Sequence, residues 1–372
     1  AGPHVVQTRE VEAAGKRVRL HTWFHPEIAE LSAAYLDATE RYVALYSARL
    51  SAYPFEDFSV VSSPLPTGFG MPTLTYLGVD VLKLPFIRAT SLGHEVLHNW
   101  WGNGVYVDYV SGNWAEGLTT FMADYAYKEA ESVDAARTMR LDWLRDFAAV
   151  REDQDMALRS FTSRTHGTSQ IVGYNKAAFV FFMLRAHIGE AAFDRGLRGF
   201  WQTHRFRRAG WDDLRHAFEQ ASGDDLSTFF SQWLERRGAP RLRIERARRV
   251  GKDVRVTLSQ GTPTYAIDVP VDVTINGDVR TQVLKLTQPQ QQFVVPDAAP
   301  ATSLAIDPRL QVFRRLDDAE LPPILRNVMV DPRTQLVLAS DEAAFRAAAR
   351  DLAQALLDHP PAEGAASGPR VL

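Results

Sequence analysis

Two histidines four residues apart, His94 and His98, flank Glu95 in the segment SLGHEVLHNWWGNG. On a helix this spacing puts both imidazoles on one face, about one turn apart, so that both can point at a single metal ion. Glu95 falls on an adjacent face, from which a carboxylate reaches a water on that metal without displacing either imidazole. A string of this form arises by chance in roughly one or two such chains per hundred, so a third ligand is what separates chemistry from coincidence. A catalytic zinc of this kind takes three protein ligands and leaves the fourth position to water. Glu116 is the candidate, at the head of the apolar-periodic run EGLTTFMADYAY, which reads as a second helix. Asp108, in the gap between His98 and Glu116, is the weaker substitute.

The elements that must hold these residues are legible as an α+β chain. At 372 residues the polypeptide is long for one core and reads as two or three domains. A 45% hydrophobic and 23% charged composition is that of a globular protein, and a net charge of −3 argues against nucleic acid as the main partner. Cysteine is absent, which excludes disulfides and thiolate chemistry. That suits a reducing compartment as well as a periplasmic or cell-surface location that avoids thiols, and the latter is the one favoured. The first residues carry no initiator Met, basic n-region or apolar h-region, so a processed or truncated start is expected. No run of eighteen apolar residues is present to span a membrane.

Residues 1–24 alternate weakly around Ala14-Gly15 and read as residual strands of an N-terminal β domain. PEIAELSAAYLDATERYVALYSARL, from Pro26 to Leu50, is an amphipathic helix whose Tyr35, Tyr42 and Tyr46 are expected to pack in the core or its rim. A strand and a Gly-rich loop, TGFGMPTLTYLG, come next and could line a cleft upstream of the metal helix. A long helical region from Val133 to Phe230 is interrupted by SFTSRTHGTSQIVG, after which Tyr174 opens the helix YNKAAFVFFMLRAHIG. At Gly238-Ala239-Pro240 the period changes to two, and RLRIERARR, KDVRVTLSQ, YAIDVPVDVTI, TQVLKLTQ and QQFVVPD predict a small β-sandwich with a hairpin at Asn276-Gly277. The basic run from Arg236 to Arg255 reads as the solvated face of that sheet. Residues 317–372 read as a C-terminal extension with a disordered tail, to which no chemistry attaches. The expected divisions are thus 1–24, 25–238, 239–316 and 317–372.

Several of these stretches together resemble the aminopeptidase N and leukotriene A hydrolase family, the gluzincin zinc peptidases with HExxH and a downstream Glu. YPFEDFSVV before a GxGM loop, GHEVLHNWWGN, NWAEGL, VGYNKAAFVFFML and SGDDLSTFFSQWLERRGAP occur in the family's order, over roughly residues 5–240. The resemblance implies a thermolysin-like, mainly helical catalytic domain followed by the β-sandwich. It implies one zinc ion per chain held by His94, His98 and Glu116, with Glu95 as the general base toward the zinc-bound water. It also implies that the phenol of Tyr174 stabilises the oxyanion of the tetrahedral intermediate.

Two departures from the family pattern stand out. Seventeen residues separate His98 from Glu116 where the family has eighteen, a deletion that the SG turn can absorb. The family's GAMEN loop carries a Glu that binds the substrate's free amino group, and here Gly68, Gly70, Met71 and Pro72 line the equivalent loop, with proline in the Glu position. Proline has neither a carboxylate nor a backbone donor. The expectation is therefore zinc-dependent hydrolysis of a peptide substrate, aminopeptidase-like but with a relaxed demand for a free amine. An endopeptidase is the alternative among enzymes, and a non-catalytic protein-binding scaffold is the alternative outside them. Oligomeric state and side-chain preference are not written in the chain.

Overall fold

Alternating apolar residues build the first layer. β1 (Val5–Ala13) and β2 (Lys16–Phe24) form an antiparallel hairpin through Ala14 and Gly15, both at positive φ. β2 then pairs in parallel with β3 (Asp57–Ser63), β3 in parallel with β5 (Leu74–Gly78), and β5 antiparallel with the edge strand β4 (Gly68–Met71). The order across the sheet is β1-β2-β3-β5-β4. Residues 1–24 thus supply two strands of the same sheet that carries β4, and they do not stand apart as a remnant of another domain. The parallel β2–β3 pairing spans the whole intervening helix, and no local pattern announces it. α1 (Ser32–Arg49) lies on the face where Val18, Leu20, Phe24, Phe58 and Val60 are buried, with Phe24 edge-on to Tyr35 at 5.3 Å.

A computed structural model describes residues 2–66, 68–165, 167–322, 335–336, 338, 340, 342–356 and 362–363. The contacts divide the chain into two units, Ala1–Leu316 and Asp317–Leu372. Within the first unit α2 (Val79–Leu82) leads to α3 (Ser91–Leu97), the helix of the two histidines. The short strands β6 (Trp101–Gly102) and β7 (Val105–Val107) follow, and α4 (Ala115–Thr120) runs through a wide π turn at Phe121–Tyr125 into α5 (Ala126–Glu131). α6 (Val133–Ala148) closes one side. α7 (Gly167–Gln170) continues through a second π turn, Ile171–Lys176, into α8 (Ala177–Ile188). Tyr174 therefore sits inside a continuous helix and does not open one, because helical backbone begins at Gly167 in the polar stretch that reads as a loop.

Every residue of α8 from Ala177 to Leu184 is buried, as expected of the central helix of a bundle. α9 (Glu190–His204), β8 (Arg208–Ala209), α10 (Trp211–Ser222) and α11 (Ser227–Glu235) complete the helical part. Helix α10 is capped at both ends. Asp213 accepts from the Gly210 N–H at 2.8 Å, and Gly223 ends α10 in the left-handed region at φ 82°.

Beyond Gly238, at φ 77°, the chain forms two three-stranded sheets. β9 (Arg243–Val250), β10 (Asp253–Ser259) and β13 (Gln290–Val295) make one, in the order β13-β10-β9. β11 (Ile267–Ile275), β12 (Asp278–Leu286) and β14 (Ala301–Ile306) make the other, in the order β12-β11-β14. Asn276 and Gly277, at φ 52° and 90°, form the two-residue β11–β12 turn, the geometry that Asn-Gly favours. Val254, Val256 and Leu258 on one sheet and Val269, Val271 and Val273 on the other are buried, as in a sandwich core. β14 has no counterpart in the sequence reading, since ATSLAI is short and half polar.

The chain then returns to the helices. Phe313 packs at 4.7 Å from Phe147 and 5.5 Å from Phe179, while Arg140 donates to the carbonyl of Leu310 at 3.0 Å. Among the described residues of the second unit are the helix Ala343–Leu356 and a parallel pair of Gln335–Leu336 with Ala362–Glu363. The tail expected to be disordered lies otherwise outside the described residues.

Candidate metal centre

The base of α3 is fixed before its histidines are. Tyr42 and Tyr46 on α1 donate to the carbonyls of Arg88 and Gly93 at 2.9 and 3.1 Å, and Tyr46 also meets the hydroxyl of Tyr127 on α5. Gly93 permits this approach: a Cβ there would overlap the Tyr127 hydroxyl at 2.0 Å. The tyrosines of α1 are thus core residues whose hydroxyls satisfy backbone around the metal helix.

On that base His94 and His98 stand with their Nε2 atoms 3.1 Å apart. Glu116 Oε2 on α4 lies 3.6 Å from the Nε2 of His94 and 3.3 Å from that of His98. Both Nδ1 atoms are committed elsewhere: His94 donates to Asp124 Oδ2 at 2.7 Å, and His98 donates to the Trp101 carbonyl at 2.9 Å. Each donation fixes the tautomer and leaves the Nε2 lone pair facing the same point. With bonds of about 2.0–2.1 Å, tetrahedral zinc ligands stand about 3.3–3.4 Å from one another, which is the spacing found. Two imidazole nitrogens and one carboxylate are also the donor set of a catalytic zinc.

The electrostatics agree. Burial pushes His94 and His98 down, yet Asp124 and Glu116 outweigh it and hold both above the ordinary histidine range. Burial pushes Glu116 up, and the two imidazoles overcome that and hold its carboxyl well below the usual range. The carboxylates of Asp124, Glu116 and Glu95 around the two imidazoles thus favour positive charge at this point, which a proton or a metal ion bound at Nε2 supplies. Asp108, the alternative ligand, lies on the loop after β7 with its backbone N–H paired to Ala209, outside this cluster.

Glu116 is placed by helix contact. A Cβ at Gly117 would fall 2.2 Å from that of Ala177, so α4 and α8 meet almost backbone to backbone. This contact brings Tyr174 beside Glu116. Burial, with that carboxylate next to it, pushes the phenol well above its ordinary value, so its hydroxyl stays protonated. Phe161 stacks edge-on against Tyr174 at 5.9 Å, and Asn113, just ahead of α4, ties down the carbonyl of Thr162 at 3.1 Å and thus the preceding loop.

The Gly-rich segment is an edge strand, not a loop. A Cβ at Gly70 would stand 2.4 Å from Glu95 Oε2 and 3.8 Å from His98 Cδ2, so the β4 backbone passes directly over the Glu95 carboxylate. Gly68 shares the face of Gly70, while Phe69 and Met71 project to the other face and are exposed, as is Pro72. Pro72 and Thr73 turn β4 into β5, with Thr73 at φ 64°, a strained setting for a β-branched residue. Asn99, fully buried one residue past His98, holds that turn by accepting the Thr73 N–H at 2.8 Å. It also donates to the Val96 carbonyl at 3.1 Å.

Asp124 and Asn99 are the residues that the sequence reading missed. Asp124 lies eight residues beyond Glu116 on the same helical run, a spacing that could have marked it as an acid two turns below the ligand.

Residues 88–233 match the Peptidase family M1 domain, and the chain is similar to aminopeptidases N. It is 26% identical over 275 residues to aminopeptidase N of Escherichia coli strain K12, covering 64% of this chain and 31% of that protein. It is likewise 26% identical to aminopeptidase N of Streptomyces lividans over 271 residues, which cover 66% of this chain and 31% of the relative. The chain thus spans about a third of the length of these curated relatives. Its fold matches the crystal structure of Legionella pneumophila aminopeptidase A in complex with aspartic acid, with a TM-score of 0.68 at 16% identity, over 95% of this chain and 42% of that one.

Proposed function

We propose that this chain hydrolyses peptide bonds with a zinc ion held by His94, His98 and Glu116. The observation that carries this reading is the convergence of two Nε2 lone pairs and one carboxylate oxygen at 3.1–3.6 Å, each imidazole oriented through its other nitrogen. A bound zinc would supply Lewis acidity, polarising the scissile carbonyl and lowering the pKa of coordinated water to about 7. Glu95, on the adjacent face of α3 and under the β4 backbone, accepts the proton of the attacking water and passes it to the leaving nitrogen. Tyr174, kept protonated by burial and by Glu116, donates its hydroxyl to the oxygen that gains charge. The free edge of β4 offers backbone groups with which an extended peptide can pair.

Specificity follows from the same hairpin. Pro72 offers neither a carboxylate nor an N–H, so the hairpin carries no acid to bind a substrate's amino terminus. We read the enzyme as aminopeptidase-like in chemistry but tolerant of blocked amino termini. Glu95→Gln tests the assignment: it is expected to bind zinc as the wild type does while losing peptide hydrolysis by at least about a thousandfold. A variant that keeps its turnover would overturn the role of Glu95, and a wild type that binds no zinc and cleaves no peptide would favour the scaffold reading.

A further inference from the structure

Two residues past Tyr174, on the same π turn, lies a lysine with no contact to solvent. Lys176 is 0% exposed, and its Nζ donates to the carbonyls of Arg236 and Gly238 at 3.1 and 3.4 Å. The rings of Phe147 and Phe313 flank the ammonium at 5.9 and 5.8 Å. Asp155, itself buried, does not pair with it directly but accepts the Gly238 N–H at 2.6 Å. The two carbonyls belong to the end of α11 and to the left-handed Gly238 that leads into the β-sandwich. Carbonyls at a helix C-terminus lack intrahelical donors and carry partial negative charge, which an ammonium satisfies.

We propose that Lys176 is a positioning residue for Tyr174: anchored to the Arg236 and Gly238 carbonyls, it fixes the π turn that brings the phenol to Glu116. The proposal rests on the peptidase reading above. Stability alone gives no reason for a lysine here. A Met of similar length fills the slot between Phe147 and Phe313, and replacing a buried ion by an apolar side chain is often neutral or stabilising. Losing a donor to two carbonyls opposes that gain, so the net change in stability is small. What the lysine adds is a defined register. A π turn has one residue more than the α-helical turn that competes with it, and a two-carbonyl anchor holds the wide form.

The test is a double-mutant cycle on the full chain, using zinc content, thermal unfolding and kcat and KM on one peptide. Lys176→Met is expected to keep zinc and fold, to lower kcat about tenfold and to leave KM within about twofold. In a Tyr174→Phe background the same substitution is expected to change kcat less than about twofold, because the group it positions is gone. Should Lys176→Met fail to fold, Lys176→Gln, which retains an N–H donor for the carbonyls, takes its place with a smaller loss in the Tyr174 background only. An equal loss of kcat in both backgrounds, or no loss in either, overturns the proposal. A wild type that turns over no peptide overturns the peptidase reading and this proposal with it, whereas an active wild type with an equal loss overturns this proposal alone.

Discussion

Replacing Asp124 by asparagine keeps the shape of the side chain and removes its charge. Its Oδ2 accepts the Nδ1–H hydrogen bond of His94 at 2.7 Å with a side chain 26% exposed, so the bond is charge-assisted and only partly screened by solvent. Hydrogen bonds to ionised groups contribute about 1.5–3 kcal/mol, and the partial exposure places this one near the lower end, about 1.5–2 kcal/mol. At 1.4 kcal/mol per factor of ten, zinc affinity is expected to fall about 10–30-fold. That lies within the about 10–100-fold range for partners of metal-bound histidines. Asp124→Ala, which also frees the imidazole to rotate, is expected to approach the upper end. Competition against a chromophoric chelator at fixed pH and ionic strength gives both affinities, and unfolding of the metal-free proteins controls for loss of fold. Unchanged zinc affinity in both variants would refute the argument that Asp124 orients His94 for a metal.

Three further outcomes follow from the same geometry. Gly117→Ala drives a Cβ into Ala177 and is expected to cost about 1–3 kcal/mol, read as a lowered urea midpoint at unchanged m-value, together with weaker zinc binding through displacement of Glu116. Burial, opposed by Asp155, pushes Lys176 down to about 8, so between pH 8 and 10.5 the unfolded chain binds more protons at this site than the folded one. The wild type is therefore expected to gain stability relative to Lys176→Met as pH rises through that window, by up to roughly 3 kcal/mol, and a flat difference from pH 7 to 10.5 would contradict the buried ammonium. N-acetylation of a peptide substrate is expected to change kcat/KM by less than about tenfold, because Pro72 offers the amine no partner; strict dependence on the free amine would show that another residue supplies one.

The parts of the site legible in the sequence are those set by local periodicity. The i, i+4 pair His94 and His98 converges because a single helical turn aligns it, and Glu116 was visible as a carboxylate at the head of the next apolar run. Residues whose place depends on how helices meet were not. Asp124 reaches His94 because it sits on the π turn after α4, while Gly93 lets Tyr127 of α5 close against α3. Asn99 gains its meaning from a hairpin turn 26 residues upstream. The same division holds for the fold. Amphipathic α1, the capped α10 and the Asn276-Gly277 hairpin follow from neighbouring residues, while the membership of β1 and β2 in the β4-bearing sheet depends on a parallel pairing that no local signal carries. The proximity of β4 to Glu95 could be stated only as a lining role for Gly68, Gly70, Met71 and Pro72, because strand direction and register decide which face meets the carboxylate.

Zinc K-edge absorption of the purified chain tests the central claim most directly. The account predicts one zinc per chain with a light-atom shell at about 2.0–2.1 Å containing two imidazole scatterers, reduced to one in His98→Phe. A chain that retains no zinc after gentle purification and supplementation, or whose zinc shell is unchanged when His98 is replaced, would contradict it.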